Sequence, residues 1–333
     1  MIHHSSSRSG AVGLNRSRRD RELCTVLTAL LLFAFCATAA HAQTQKIRIA
    51  ISSRSNTATT FYVAERKGFL KEEGLDVELI QINPRLGAVA VLGGDVTFTT
   101  SFFSTFRGIV QGLPMKTVFV VLKKGIYFLM VRPDVIKDVQ DLKGKKLGVS
   151  GVNAGDHIIA SELMRMKGLD PNSVQAIAVG EPTLRAQAVL TNAVQAVAVS
   201  PPHDVILQKM GLKAISGPPE IGNPASGLFA ADRFIKESPQ VLRRTLRAMF
   251  KANRFIDEHR DETIRIMTAA VPQSAEAAAR SYDIELKALA KDGQMTDAEV
   301  EFQMERLSDK KRPLDEVRDF SFARQALKDV EGK

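Results

Sequence analysis

Tyr62–Ile80 reads YVAERKGFLKEEGLDVELI. Its first part continues a helix that starts near Thr59 and ends at Gly68, a residue type that stops helices because it turns left-handed without steric cost. Gly74, inside Glu73-Gly74-Leu75, turns the chain again into an apolar strand from Leu75 to Ile82. Before this stretch, Lys46–Ile51 (KIRIAI) alternates and then becomes wholly apolar, the pattern of a strand, and Ser52–Thr57 is a polar loop. After it, Pro84 opens a helix ending near Gly93-Gly94. Val96–Thr99 is a third strand, Ser101 leads into a helix to Gly112, and Lys116–Leu122 is a fourth strand. Strands and helices alternating through short loops predict an α/β fold with a mostly parallel sheet covered by helices.

The same rhythm returns further on. Ile126–Val131 is an apolar strand, and Pro133 with Asp138–Gly144 breaks the pattern. A second α/β unit starts at Lys146–Ser150. It continues with a helix at Asp156–Lys167, a strand at Val174–Val179, a helix at Thr183–Thr191, a strand at Val194–Val199, a helix after Pro201, and Lys213–Ser216. Gly217–Pro224 (GPPEIGNP) is a turn-rich connector into a last strand, Gly227–Ala231. The chain beyond Asp232 is helical, with Ser238 as N-cap and Pro239 at the first helical position of a helix reaching His259. Further helices span Ala275–Leu289 and Asp297–Leu307.

The N-terminus has a different character. Arg16, Arg18, Arg19 and Arg21 precede an uncharged apolar run, Val26–Phe35, and then Ala40-His41-Ala42. This is the layout of a secretory signal, with cleavage after Ala42. The run is shorter than the roughly 20 residues of a membrane span. Cys36 follows the bulky Phe35 where a lipid-attachment cysteine follows a small residue, so the expected product carries no lipid. Asp20, Arg21 and Glu22 interrupt a twin-arginine reading of Ser17-Arg18-Arg19. Cleavage leaves 291 of 333 residues and removes both cysteines, Cys24 and Cys36. A cysteine-free exported chain is held by its core alone, and it has neither thiol catalysis nor thiolate metal sites. The net charge is +9, and about +6 without the signal's five arginines, Asp20 and Glu22. The basic runs Lys143, Lys145, Lys146 and Lys310, Lys311, Arg312 sit beside acids or turn residues. No element concentrates bases with interleaved aromatics, so no nucleic-acid partner is expected.

Seven phrases occur in order: YVAERKGFLKEEGLDVELI (Tyr62–Ile80), LGGDVTFTTS (Leu92–Ser101), GLPMKTV (Gly112–Val118), DLKGKKLGV (Asp141–Val149), KGLDPNSVQ (Lys167–Gln175), VGEPTLRAQAV (Val179–Val189) and VQAVAVSPP (Val194–Pro202). Together they resemble the substrate-binding proteins of nitrate/sulfonate/taurine/bicarbonate-type ABC importers, across essentially the whole chain after the signal. The resemblance implies a two-lobed periplasmic binding protein fold of type II. Residues 43–127 with 225–333 would form lobe one and 128–224 lobe two, closing like a hinge on a small-molecule ligand. The cleaved, unlipidated signal predicts a product free in the periplasm of a Gram-negative cell; the resemblance adds a monomer, an ABC permease at the inner membrane as partner, and no cofactor. Fungal thiamine-pyrimidine synthases share the fold family and use a histidine and a cysteine-rich iron site. The cysteine-free chain and its export argue against that enzyme, and no G-x-S-x-G elbow is present. A ligand-presenting sensor is the third reading.

Ligands of open α/β sheets bind beyond the carboxyl ends of strands, where helix N-termini present free N–H groups. That rule selects four loops: Ser52–Thr60, Thr99–Ser104, Ser150–His157 and Ser200–Asp204. The ligand contacts of the resembled family come from the same loops. Ser53, Asn56 and Thr57 either bond a ligand or cap the first helix. Arg54 either pairs with an anion or stays in solvent. Ser101 is the strongest single contact and Thr100 its competitor. Phe102 and Phe103 either stack on a ligand or pack in the core. In the second unit the candidates are Asn153, Gly155, Asp156, His157 and Ser200, with Asp156 serving either a ligand or the dipole of its own helix. His157 and His203 lack metal-ligand spacing, so no metal is expected.

Overall fold

β1 (Gln45–Ile51) alternates exposed Lys46 and Arg48 with buried Ile47 and Ile49, then ends in buried Ala50 and Ile51. This structure is a computed structural model that describes residues 44–217, 224–307 and 312–332. The expected export signal, most of the connector at 217–224 and the Lys310-Lys311 pair lie outside the described residues. After β1 come a single 3-10 turn, Asn56–Ala58, and the helix Thr59–Arg66. The chain turns at Gly68 (φ 77°), makes one short helix, Phe69–Glu72, and turns at Gly74 (φ 68°) into β2 (Leu75–Gln81). The sequence reading has no helix between the two glycines. A single turn is too short for a hydrophobic period to register.

The helix expected from Pro84 starts later, at Gly87–Gly93. Pro84 instead lies in a turn closed by the Leu86 amide donating to the Asn83 carbonyl at 2.8 Å. β3 (Phe98–Ser101) runs two residues beyond its expected end at Thr99, then the helix Phe102–Val110 and β4 (Met115–Leu122) complete the first unit. The second unit has β5 (Phe128–Val131), β6 (Lys146–Val149), the helix Gly155–Met166, β7 (Gln175–Ala178), the helix Pro182–Leu190, β8 (Ala196–Val199), the helix His203–Lys209 and β9 (Lys213–Ser216). β10 (Ser226–Ala231) then returns to the first sheet.

The first sheet has the order β2-β1-β3-β10-β4 and the second β7-β6-β8-β5-β9. In each, four strands share one direction and the fifth runs against both neighbours: β10 in the first, β5 in the second. The reversed strand is in each case the first one laid down after the chain crosses from the other sheet. Each sheet with its helices forms a lobe, and both crossings run between the lobes.

The central strands are buried on both faces, which explains their continuous apolar runs. In β5 and β8, Phe128, Met130, Val197 and Val199 enter one core cluster, while Leu129, Val131, Ala196 and Ala198 enter the other. The split follows the two-residue period of a strand.

Beyond β10 the described chain is helical: Asp232–Glu237, Pro239–Glu258, Arg260–Ala270, Ala275–Ala288, Asp297–Leu307, Leu314–Val317 and Ser321–Glu331. Pro239 takes the first helical position as expected, but the Ser238 side chain makes no capping bond. Its ψ of 45° departs from the extended geometry that aims a capping hydroxyl at the next amides. The helix Pro239–Glu258 buries Leu242, Leu246, Met249 and Phe250 and packs on Thr59–Arg66 and Ser321–Glu331. Its Arg247 and Lys251 reach back to Glu73, beside the Gly74 turn. Burial alone would raise the Glu73 carboxyl, but these two cations outweigh it and hold the group below its usual range.

Candidate functional site

The strand order of the first sheet reverses between β1 and β3, and that of the second between β6 and β8. Loops leaving such neighbouring strands part in opposite directions and open a crevice at the carboxyl edge. Ser52 follows β1 and Ser101 ends β3, and their hydroxyls are 2.8 Å apart. Ser150 follows β6 and Ser200 follows β8. The two edges face each other: the Asn56 amide donates to the Pro201 carbonyl at 3.2 Å across the lobes. Between them lies a cavity of about 420 Å³ lined by Ser52, Ser53, Gln81, Asn83 and Pro84 from one lobe and Ser150, Gly180 and Glu181 from the other.

The expected site residues divide by depth. Ser53 lines this cavity, and its hydroxyl starts a chain through Ser55 (3.0 Å) to Thr57 (2.9 Å). Exposed Arg54 lines an adjoining cavity with Gln81, Glu181 and His203. Asn56 is fully buried, and its side-chain amide exchanges two 3.0 Å hydrogen bonds with that of Gln273. It anchors the loop to the C-terminal helices. Thr100, Ser101 and Ser200 are buried at or just past strand ends and do not line this cavity. Phe102 and Phe103 are both in the core, where Phe102 meets Phe103, Phe106 and Phe229 edge-on or stacked.

Asp156 faces inward. It is 2% exposed, and four donors occupy its two oxygens: the Ser150 amide (2.6 Å), the Ser150 hydroxyl (2.7 Å), the His157 amide (3.0 Å) and Arg185 (2.7 Å). Its carboxylate therefore holds the Ser150 loop in shape rather than presenting itself to a solute. Asn153 has φ 66°, and its amide donates to His157 Nδ1 at 2.9 Å. These two residues border a separate groove of about 600 Å³ with Phe103, Arg107 and Arg165. Burial, the largest influence, holds His157 below its usual range. Gly155, at the start of its helix, stands where a Cβ would lie 3.5 Å from both Phe103 and Tyr127.

The sequence reading missed Gln81, Asn83, Gly180, Glu181 and Arg185. Gln81 ends β2, Asn83 follows it, and Gly180 and Glu181 follow β7, so the strand-end rule finds all four when it is applied to every strand of the parallel part. Arg185 left no signal, because an arginine in a helix normally marks a solvated face.

His203 is 9% exposed, at the first position of its helix. Burial, and then the Arg185 charge, push its imidazole down to about 4 from the ordinary 6.5. Between pH 6.5 and 4 the unfolded chain therefore binds a proton that the folded chain refuses. The stability this residue contributes is complete above pH 6.5 and is lost as the pH falls through that window. His203→Asn is expected to flatten this part of the stability curve, measured by urea melts at pH 4.5, 5.5 and 7. Parallel curves for the two proteins would refute the assignment. Among the described residues, no group of three or more His, Cys, Asp or Glu is placed to hold a metal ion, and no helix is long and apolar enough to cross a membrane.

A model of the family described as NMT1/THI5 like matches residues 55–263. The match spans more than half of the chain, which belongs to that family. YtlA of Bacillus subtilis (strain 168), provisionally named a binding protein, is 24% identical over 260 residues, 74% of this chain and 76% of its own. The 4-amino-5-hydroxymethyl-2-methylpyrimidine phosphate synthase THI11 of Saccharomyces cerevisiae is 28% identical over 124 residues, 36% of each chain. The alkanesulfonate-binding protein SsuA from Xanthomonas axonopodis pv. citri, solved with MOPS bound, matches with a TM-score of 0.70 at 14% identity, over 83% of this chain and 99% of that one. That likeness is one of fold, the two-lobed periplasmic binding protein fold.

Proposed function

We propose that this member of the NMT1/THI5-like family is the solute-capturing component of an ABC importer. In this reading the chain is exported, loses residues 1–42, and works as a monomer in the periplasm. Residues 43–127 with 225–333 form one lobe and 128–224 the other. They close on a small polar or anionic organic solute and deliver it to a membrane permease. One observation carries the reading. Ser52, Ser53, Gln81 and Asn83 from one lobe meet Ser150, Gly180 and Glu181 from the other around one cavity of about 420 Å³. A solute bonded from both sides interacts more strongly with closed lobes than with open ones, so binding itself drives closure. The ligand-contact set we assign is Ser53, the Ser52 and Ser150 hydroxyls, Gln81 and Asn83, with Arg54 and Glu181 at the rim. Thr100, Ser101, Asn153, Asp156 and Ser200 shape the loops that present them. The alkanesulfonate named for SsuA makes organic sulfonates the first candidates. Both cysteines, Cys24 and Cys36, precede Gln43, which disfavours a thiol- or thiolate-based enzyme.

The test uses the form released into the periplasm of an overproducing Gram-negative host. Its N-terminal sequence is expected to begin at Gln43. Thermal melts are then run with nitrate, alkanesulfonates, aromatic carboxylates and pyrimidines. A bound solute at 100 times its Kd stabilises the folded chain by about 2.7 kcal/mol, a clear rise in melting temperature. If no compound shifts the melt while one is consumed with time, the capture reading fails and an enzyme takes its place.

A further inference from the structure

The serine-lined cavity does not end at Glu181. Gln81 and Glu181 also line a second cavity of about 540 Å³, so the two adjoin. Its walls differ in kind. Pro182, Ala186 and Leu190 lie four apart along one helix, and Ile206 lies on the next, with Met210 just past its end. At a spacing of four, side chains share one helix face, so the first helix offers an apolar stripe that Ile206 and Met210 extend. Val271 and Pro272 close the cavity from the opposite lobe. Leu190 is 39% exposed and Met210 52% exposed. Gln81 and Glu181 are polar where it meets the first cavity, and Arg54, Thr183, Gln187 and His203 are the other polar residues of a lining that is otherwise apolar.

We infer that this second cavity is the apolar half of the binding cleft. The captured solute is then an amphiphile, with a hydrogen-bonding head among Ser52, Ser53 and Ser150 and an apolar substituent on the Leu190–Met210 wall. The inference rests on the capture function proposed above and narrows its substrate class. Because the two spaces adjoin at Gln81 and Glu181, one molecule spanning both is the occupant. The lining by both lobes means that closure covers the substituent on two sides, so apolar surface leaves water only in the closed state. A head group alone fills the first cavity and leaves Leu190 and Met210 in water.

Calorimetric titration of the released protein with straight-chain alkanesulfonates of one to eight carbons, and with the matching carboxylates, tests this. Affinity is expected to rise about fourfold for each methylene that enters the cavity. Leu190→Asp and Met210→Asp, both at exposed positions, are expected to abolish the rise with chain length, a slope that a uniform loss of anion affinity would not change. Binding that is independent of chain length, or a rise that survives both substitutions, overturns the amphiphile inference and leaves the capture reading standing. Failure of every member of both series to bind overturns the inference too. The capture reading is then judged by the wider panel of melts.

Discussion

Arg185→Met is expected to lower the melting temperature by roughly 10 °C and to abolish solute binding. Arg185 is 3% exposed and Asp156 2% exposed, and they meet at 2.7 Å inside the second lobe. Removing one member of a buried ion pair costs about 3–5 kcal/mol, because the other charge stays desolvated without its counter-ion. Asp156 would keep only uncharged donors, the Ser150 amide and hydroxyl and the His157 amide. The functional loss follows from the same contacts. Ser150 lines the cavity and takes its position from this carboxylate, so a shifted Asp156 moves a cleft residue. The double variant Asp156→Asn with Arg185→Met removes both charges and keeps an acceptor for the Ser150 amide. It is expected to recover most of the lost stability, a coupling that separates the ion pair from general packing damage. A single variant that melts within about 2 °C of wild type would refute the clamp. One that is destabilised yet binds solute normally would show that Asp156 does not position Ser150.

Asp156 and Arg185 also show where the sequence stops being readable. The turns at Gly68 and Gly74 were legible because the backbone there demands a residue type, and a local demand leaves a local mark. The strands were legible because burial on both faces removes polar residues from them. The direction of β5 and β10 was not written locally, since it follows from where the chain re-enters a sheet. The cleft loops could be located by their place after strands, but the duty of each polar residue is set by partners distant in sequence. Asn56 is taken up by Gln273, 217 residues away, and Asp156 by Arg185, 29 residues away. Neither partner carries a pattern that distinguishes it from a surface glutamine or arginine. Depth in the fold, rather than residue type, decides which of these polar residues reach the cavity.

Glu285→Gln is expected to stabilise the protein at pH 8 and to do so less at every lower pH. Glu285 is 5% exposed on the helix Ala275–Ala288, and one of its carboxyl oxygens has no hydrogen-bond partner. Burial, offset only in part by the Thr59 hydroxyl, raises its carboxyl well above the ordinary 4.5. The neighbouring Tyr62 hydroxyl is also buried without a partner and is pushed up to about 12, by burial first. The folded chain therefore keeps a proton on Glu285 that the unfolded chain releases above pH 4.5. A group with a raised folded-state pKa contributes stability that is complete below 4.5 and is lost as the pH rises through the folded value. The loss approaches about 1.4 kcal/mol per pH unit, and glutamine, with no proton to release, escapes it. His203 acts with the opposite sign between pH 4 and 6.5, so the two slopes oppose each other there and the carboxyl's effect stands alone above 6.5. Urea melts of Glu285→Gln in a His203→Asn background isolate it over the whole range. The gap between that double variant and His203→Asn alone should widen steadily from pH 5 upward. A gap that stays constant from pH 5 to 8 would mean that the folded chain already carries Glu285 ionised, and that a cation or solvent reaches it.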